Sequence, residues 1–223
     1  MAAESAGRKS FSVFGTPEDP QKWISADLGP VLVRSAKTHH GQSQNMQSPT
    51  AAIARAAELG VPATDSLLVA VVATQTVLWF LRTAEGGPFE LHRQLVCSTS
   101  KHGIGQVQDS NKTPLGLHRI AQKIGDGLPT GTVLKARKPI GHMRDGFPPA
   151  SITTRILWLE GLEEGFNKGG NVDTFRRYIY IHGTGDQPSL GTPASDGCIH
   201  LSDSDLVEVY DSLPIGTLVW IGP

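Results

Sequence analysis

Cysteine is among the scarcest residues of this sequence, with only Cys97 and Cys198 among 223 residues. One widely separated pair is not a disulfide framework, so the chain is not a small disulfide-stapled fold, and its cysteine usage points to no particular compartment. Basic runs are also missing, and the net charge of −1 gives no electrostatic footprint for nucleic acid. The longest apolar stretch, 67–81, is interrupted by polar residues and falls short of the ~20 residues that a membrane span needs.

No export signal is visible in this sequence either. The first residues, MAAESAGRKSFSVFGTPEDP, alternate charged, glycine and short apolar pieces. They hold no apolar run of the ~7–15 residues that is typical of a signal peptide. From the sequence alone, a cytoplasmic location is therefore expected.

Glycine and proline, in contrast, are abundant, with 25 and 15 residues, and such a content favours many turns over long helices. Runs rich in β-branched and aromatic residues predict a hairpin formed by 67–73 and 76–82. Further strands are predicted at 88–97, 116–121, 131–136, 153–159, 176–182 and 217–221.

One helix interrupts the strand series just after Cys198. Its apolar residues recur on one face at helical spacing, at Leu206, Val209, Tyr210 and Leu213. Ser202 followed by Asp205 resembles a capping box with Asp in place of Glu. The predicted fold class is therefore mainly β, a sandwich or partly closed barrel of short mixed strands with one prominent helix.

The N-terminal part of the chain carries little recognisable chemistry. Residues 1–47 contain one strand-like piece, Pro30–Val33. A short helix is predicted near 49–59, where a proline follows an N-capping serine and a glycine stops the run. We therefore expect an N-terminal extension over 1–65 and one main domain over 66–223.

The stretch GTPASDGCIHL, residues 191–201, places Cys198 directly after a glycine. Free cysteine is often a small buried apolar residue, whereas a nucleophilic cysteine needs a base within hydrogen-bond reach. His182 ends a strand-like run, and a loop rich in Gly and Pro separates it from Cys198, so the two can meet across that loop. Gly197 lets a substrate carbonyl approach the main chain, whose amides are candidates for an oxyanion hole.

The pair IHGTG and TPASDGCIHL resembles the signature of the L,D-transpeptidase (YkuD-type) family, in which a histidine and a glycine-containing loop precede Ser-x-Gly-Cys. The stretch 113–116, Thr-Pro-Leu-Gly, resembles the Thr-Pro-x-Gly element of that family. Residues 205–221, a helix followed by a final apolar strand, resemble its ending. The resemblance covers 66–223 and predicts an L,D-transpeptidase-like catalytic domain there.

This resemblance implies a β-sandwich-like enzyme that cleaves the bond after meso-diaminopimelate in a peptidoglycan stem tetrapeptide, through a thioester on cysteine, with release of D-alanine. The acyl group then passes to an amine, or to water as in an L,D-carboxypeptidase acting on soluble muropeptides. The expected partner is thus a peptidoglycan stem peptide or muropeptide, with no cofactor and no metal. The family is usually found in the cell envelope or periplasm, in contrast to the cytoplasmic expectation above.

Carried onto this sequence, the resemblance makes Cys198 the nucleophile, His182 its base, and the Gly183 carbonyl the acceptor that orients the imidazole. The main-chain amides of Gly197 and Cys198 hold the oxyanion in this assignment, and Ser195 and Asp196 complete the site loop.

Two positions depart from the family pattern. The family often has a histidine where Asp196 stands, and commonly an arginine or asparagine where His200 stands. The negative charge of Asp196 near the thiol disfavours the thiolate. If 196–200 are extended, His200 lies on the same face as Cys198 and offers a second imidazole.

Candidate substrate-binding residues are drawn from the same strands and from the arginines, which can meet a diaminopimelate or terminal carboxylate by bidentate contact. They are His200, Tyr180, Thr184, Arg155 and Arg177.

Two other classes of function stay open. One is a zinc hydrolase, since His182, Asp196, Cys198 and His200 are of metal-ligating types, although their spacing matches no zinc motif. The other is a non-catalytic wall-binding module, which the altered residue at position 196 favours.

Overall fold

The computed structural model describes residues 48–223, so the strand-like piece predicted at Pro30–Val33 lies outside the described residues. In the described part the strands are β1 (Ser66–Val71), β2 (Thr76–Arg82), β3 (Phe89–Ser98), β4 (Gly116–Ile124), β5 (Thr132–Lys135), β6 (Lys138–His142), β7 (Ile152–Gly161), β8 (Tyr180–Thr184), β9 (Ile199–Leu201) and β10 (Leu218–Gly222). The helices are α1 (Thr50–Glu58) and α2 (Asp203–Ser212).

The strands form one mixed sheet in the order β4-β10-β1-β2-β3-β9-β8-β7-β5-β6. Because β4 also pairs with β7, the sheet closes on itself, and the β5–β6 hairpin extends beyond this ring. The β1–β10 and β8–β9 pairs are parallel, whereas the other pairs are antiparallel. The prediction of a mainly β fold with short mixed strands and one helix after the cysteine is confirmed.

The predicted hairpin is present as β1 and β2, which pair antiparallel. Both faces of these two strands are apolar. The inner face, with Leu68 and Val77, packs into the main core, which is the cluster enclosed by the sheet and α2, and the outer face is covered by α1. Two strands were missed. β6 contains Pro139 and Gly141, which are depleted in strands, and β9 is only three residues long, too short for a periodic signal.

The strand that carries His182 is shifted relative to the prediction of 176–182. Backbone turns occupy the preceding residues, and Tyr178 adopts a positive φ of 58°, a conformation that ends extended pairing. The strand therefore begins at Tyr180 and continues to Thr184. His182 lies in its middle rather than at its end.

The helix predicted after Cys198 is confirmed as α2. Ser202 is its N-cap, and its Oγ accepts the amide of Asp205 at 3.1 Å, which satisfies one of the free N–H groups of the first turn. Its apolar face is fully buried in the main core, at Leu206, Val209, Tyr210 and Leu213.

The short helix before the sheet is α1, which begins at Thr50, with Pro49 rather than Ser48 at the N-cap. It buries Ala52 and Ala56 against apolar residues of β1, β2, β4 and β10. Neither α1 nor α2, the helices of residues 48–223, has the length and apolar character to cross a membrane.

Candidate active site

The parallel pairing of β8 and β9 brings the two halves of the sequence signature together. His182 lies opposite His200, and Cys198 immediately precedes β9. Because side chains alternate between the two faces of a strand, Cys198 and His200 share one side, next to His182. All three line one cavity of about 230 Å³, together with Lys101, Ser195 and Asp196 among others.

His182 is a buried imidazole with a fixed tautomer. Its Nδ1 lies 2.8 Å from the carbonyl oxygen of Gly183. Because a carbonyl can only accept, Nδ1 carries the proton and Nε2 keeps a free lone pair. Burial is the main cause that lowers the pKa of His182 to about 3, and positive charge on His200 lowers it further. The hydrogen bond to the Gly183 carbonyl acts in the opposite direction, but it is the weakest of the three effects. The ring is thus a neutral imidazole at physiological pH.

Cys198 as a residue is half-buried, and it packs against the cluster that contains Trp158 and Tyr180. Its Sγ accepts the amide of Tyr180 at 3.4 Å and donates to the carbonyl of Tyr178 at 3.5 Å. Burial raises the pKa of this thiol to about 11, although the Tyr180 amide and the charge of Arg177 act in the opposite direction. The resting site therefore holds a neutral thiol beside a neutral imidazole.

The turn before Cys198 is held by one buried hydroxyl. Ser195 Oγ donates to the carbonyl of Cys198 at 2.6 Å and accepts the amide of Gly197 at 3.2 Å. Gly197 has a φ of 120°, a conformation that favours glycine. In this state the Gly197 amide is engaged, which leaves the Cys198 amide as the other predicted oxyanion donor.

The Thr-Pro-Leu-Gly element supports the same turn. Thr113 is fully buried, and its Oγ1 donates to the carbonyl of Gly197 at 3.0 Å and accepts the amide of Ser100 at 3.0 Å. Gly116, at the start of β4, has a φ of 99° and lies against Glu163. The sequence marks this element by its resemblance to Thr-Pro-x-Gly, and the structure shows that its threonine holds the site loop.

Asp196 is ion-paired, so its negative charge opposes formation of the Cys198 thiolate less than the sequence alone indicates. Its Oδ1 lies 3.1 Å from Lys101 Nζ and 3.1 Å from His102 Nε2. Lys101 is the main cause that lowers the pKa of the carboxyl. The charge of Asp196 still raises the pKa of the Cys198 thiol, but it is the smallest of the causes acting on that group. Lys101 and His102 were not predicted at the site, because their sequence context carries no signal for it.

The two arginines predicted to bind substrate, Arg155 and Arg177, both donate hydrogen bonds to backbone carbonyls, but in different parts of the fold. Arg177 donates to the carbonyls of Gly105, Gln106 and Lys112 and so fixes the loop before β4; its charge reaches Cys198. Arg155 is buried and donates to two carbonyls, one of them that of Leu128. It does not line the cavity.

Two further predicted residues flank His182 on β8. Tyr180 is buried, and its ring packs edge-on against Trp158 at 5.4 Å. Its hydroxyl accepts from Arg137 at 3.4 Å. Thr184 is fully buried and accepts the amide of Asp186 at 3.1 Å. Neither lines the cavity around Cys198.

Among residues 48–223, no group of three or more His, Cys, Asp or Glu side chains is arranged to hold an ion. Cys97, the other cysteine, is fully buried, and burial raises the pKa of its thiol to about 12. The arrangement around Cys198 instead offers a thiol and a free imidazole lone pair in one cavity, which are the groups needed for nucleophilic acyl chemistry.

Comparison with known proteins agrees with this chemistry. The model of the L,D-transpeptidase catalytic domain (YkuD) matches residues 65–221. Because the match covers more than half of the chain, the protein belongs to the L,D-transpeptidase (YkuD-type) family and is an enzyme of that family.

Individual relatives are more distant. YqjB of Bacillus subtilis (strain 168), named as a candidate L,D-transpeptidase, is 30% identical over 113 residues, which are 48% of this chain and 58% of YqjB. An L,D-transpeptidase from Mycobacterium smegmatis is 16% identical, with 71% of this chain and 59% of that chain covered and a TM-score of 0.42. L,D-transpeptidase 3 from Mycobacterium tuberculosis, in complex with a faropenem-derived adduct, is 18% identical, with 71% and 60% covered and a TM-score of 0.43. The chain spans less than two thirds of the length of each of these relatives.

Proposed function

We propose that this enzyme transfers an acyl group from a peptidoglycan stem peptide through a thioester on Cys198, cleaving the bond between meso-diaminopimelate and D-alanine. The observation that carries the proposal is the single cavity lined by Cys198 and His182, in which the imidazole keeps its Nε2 lone pair because Nδ1 is bound to the Gly183 carbonyl. A base with a fixed tautomer beside a thiol is the arrangement that nucleophilic cysteine catalysis requires.

In the acylation step, the Cys198 sulfur attacks the scissile carbonyl carbon while its proton moves to Nε2 of His182. The C–S bond forms and the carbonyl oxygen becomes an oxyanion. When the C–N bond breaks, the leaving D-alanine amine takes the proton from His182. Because the resting thiol and imidazole are both neutral, proton transfer accompanies attack on the substrate rather than preceding it.

The oxyanion is held by main-chain amides. The Cys198 amide is one donor, and the Gly197 amide joins it by exchanging its 3.2 Å bond to Ser195 Oγ for one to the substrate. Main-chain amides are effective oxyanion donors because the folded backbone limits how far they must reorient.

The second half of the reaction regenerates the thiol. An amine acceptor gives a new amide bond, as in an L,D-transpeptidase, whereas water gives a free carboxylate, as in an L,D-carboxypeptidase. In both cases the acceptor adds to the thioester carbon, its proton passes to His182, and the C–S bond breaks with return of that proton to sulfur.

The test uses the full chain and a stem tetrapeptide. We expect the intact protein to gain the mass of the acyl group and D-alanine to be released. Cys198→Ala should show neither, whereas Cys97→Ala, which removes only the buried cysteine, should show both. Release of D-alanine by Cys198→Ala would overturn the proposal.

The same incubation with and without an excess of a D-amino acid identifies the acceptor. An exchanged tetrapeptide indicates transfer to the amine, and a tripeptide indicates hydrolysis. Binding of muropeptide without acyl-enzyme or product would instead favour a non-catalytic wall-binding module.

A further inference from the structure

His200 is a buried imidazole in the cavity that the proposed mechanism does not use. It is 8% exposed, and its ring centroid lies 4.6 Å from that of His182. Neither ring nitrogen of His200 has a hydrogen-bond partner among the described residues, and Nδ1 is fully buried. An unpartnered buried polar atom costs free energy, so its retention at a reactive cavity needs a physical reason.

The two nitrogens of His200 differ in access. Nδ1 is sealed from solvent, whereas Nε2, which also lacks a partner, is not among the sealed atoms. The ring lines the cavity beside Cys198, so the unsealed Nε2 is the ring nitrogen that a group bound there can reach.

The proton of this ring has a preferred position. Burial lowers the pKa of His200 to about 4, so the imidazole is neutral at physiological pH. Burying an N–H without an acceptor is less tolerated than burying an acceptor without a donor. The favoured tautomer therefore keeps a lone pair on buried Nδ1 and places the proton on Nε2, the reverse of His182. His200 is thus a donor directed into the cavity, whereas His182 is an acceptor.

We propose that His200 donates a hydrogen bond from Nε2 to the carbonyl oxygen of the acyl group at Cys198, as a side-chain member of the oxyanion hole. This inference rests on the proposed function. His200 keeps its proton throughout, so no step of the acyl transfer is routed through it.

The carbonyl oxygen is the substrate atom best matched to this donor. In any thioester it is bonded to the carbon attached to sulfur, and Cys198 lines the same cavity as His200. A side-chain donor is also of use here because the Gly197 amide can reach this oxygen only after it gives up its bond to Ser195 Oγ, whereas His200 has no bond within residues 48–223 to exchange. A neutral imidazole N–H suits this role, since it stabilises developing negative charge without the cost of burying a cation.

Three variants at one position separate a donor from a base. In His200→Gln the amide nitrogen can replace Nε2, in His200→Asn the amide lies nearer the position of Nδ1, and His200→Phe removes the donor. We expect single-turnover acylation by a stem tetrapeptide to slow about 100-fold in the Asn and Phe variants, as on loss of an oxyanion donor. The Gln variant should stay within about tenfold of the parent, with KM little changed in all three. Thermal unfolding identifies any variant that fails to fold, and the Gln and Asn pair carries the test without Phe.

Imidazole ¹⁵N NMR of the ligand-free protein gives a readout that does not depend on activity. The His200 signal, identified by its loss in His200→Gln, should show a neutral ring with the proton on Nε2. A proton on Nδ1 would overturn the inference even if the enzyme acylates normally. If the Gln variant were as slow as Phe, His200 would be an acid or base, and if all variants matched the parent it would be a spectator; both results refute the donor role. Failure of the parent to acylate would instead refute the proposed function.

Discussion

Alkylation of Cys198 by iodoacetamide provides a direct test of the neutral resting site. The reagent reacts with the thiolate, so its rate follows the thiolate fraction. Burial raises the pKa of this thiol to about 11, and at pH 7 such a group is thiolate in about one molecule in 10⁴, against about 3% for a cysteine with the ordinary pKa near 8.5. The deficit in thiolate is therefore roughly 300-fold.

Part of that deficit is recovered by the greater basicity of the sulfur. Thiolate nucleophilicity rises with pKa with a slope of about 0.4–0.5, which is worth roughly 10- to 18-fold over this range. The net expectation is that Cys198 reacts about 20- to 30-fold more slowly at pH 7 than an unstructured cysteine peptide. The shape of the pH dependence is the firmer quantity, because limited access to the cavity slows the reaction equally at every pH.

The assay follows intact mass against time between about pH 6 and pH 10, where the rate should rise about tenfold per pH unit without a plateau. Cys198→Ala confirms the site of modification, since Cys97 is fully buried. His182→Gln should leave the profile almost unchanged, because a neutral His182 contributes no charge to the thiol. A plateau below about pH 8 that is lost in His182→Gln would show a preformed thiolate–imidazolium pair and refute the reasoning.

Three further predictions concern the support of the site. Thr113→Val removes the bond to the Gly197 carbonyl and leaves buried groups unpaired, so we expect a loss of about 2–4 kcal/mol in urea unfolding, with Thr113→Ser, which keeps the hydroxyl, closer to the parent. Gly116→Ala introduces a Cβ against Glu163 at a φ of 99° and should lower the unfolding free energy by more than about 2 kcal/mol; an unchanged urea midpoint would contradict the strained turn. Asp196→Asn should accelerate alkylation of the thiol by no more than about fivefold, because the exposed, paired charge is worth at most ~1 kcal/mol, and a larger gain would mean that its basic partners do not neutralise it.

The fold was predictable where the sequence pattern is strong. Runs of apolar residues predicted most of the strands. The helical spacing of its apolar residues predicted α2, because those residues form the face that packs against the core. The pattern failed where tertiary pairing overrides local preference. β6 contains a proline and a glycine and is held by its partner β5, and β9 is so short that only its neighbours β3 and β8 define it.

The candidate site was predictable only in its sequence-local half. The Gly- and Pro-rich loop between His182 and Cys198 predicted that the two residues can meet, and the parallel pairing of β8 with β9, which directly follows Cys198, brings them together. The contacts that hold them are remote in sequence: Thr113 reaches the turn before the cysteine, and Arg177 fixes the loop that precedes β4. Such contacts depend on topology, and no local spacing encodes them.

The departure at position 196 shows why proximity in sequence misjudges electrostatics. A carboxylate two residues from the nucleophile opposes thiolate formation if both side chains share one environment. Here the Asp196 side chain is 63% exposed and paired with Lys101 and His102, while the Cys198 thiol packs against an aromatic cluster. Desolvation, rather than this carboxylate, is the main reason that the pKa of the thiol is raised. Because this carboxylate is the smallest of the causes acting on the thiol and is itself paired, an aspartate at position 196 is compatible with acyl transfer as long as its basic partners remain.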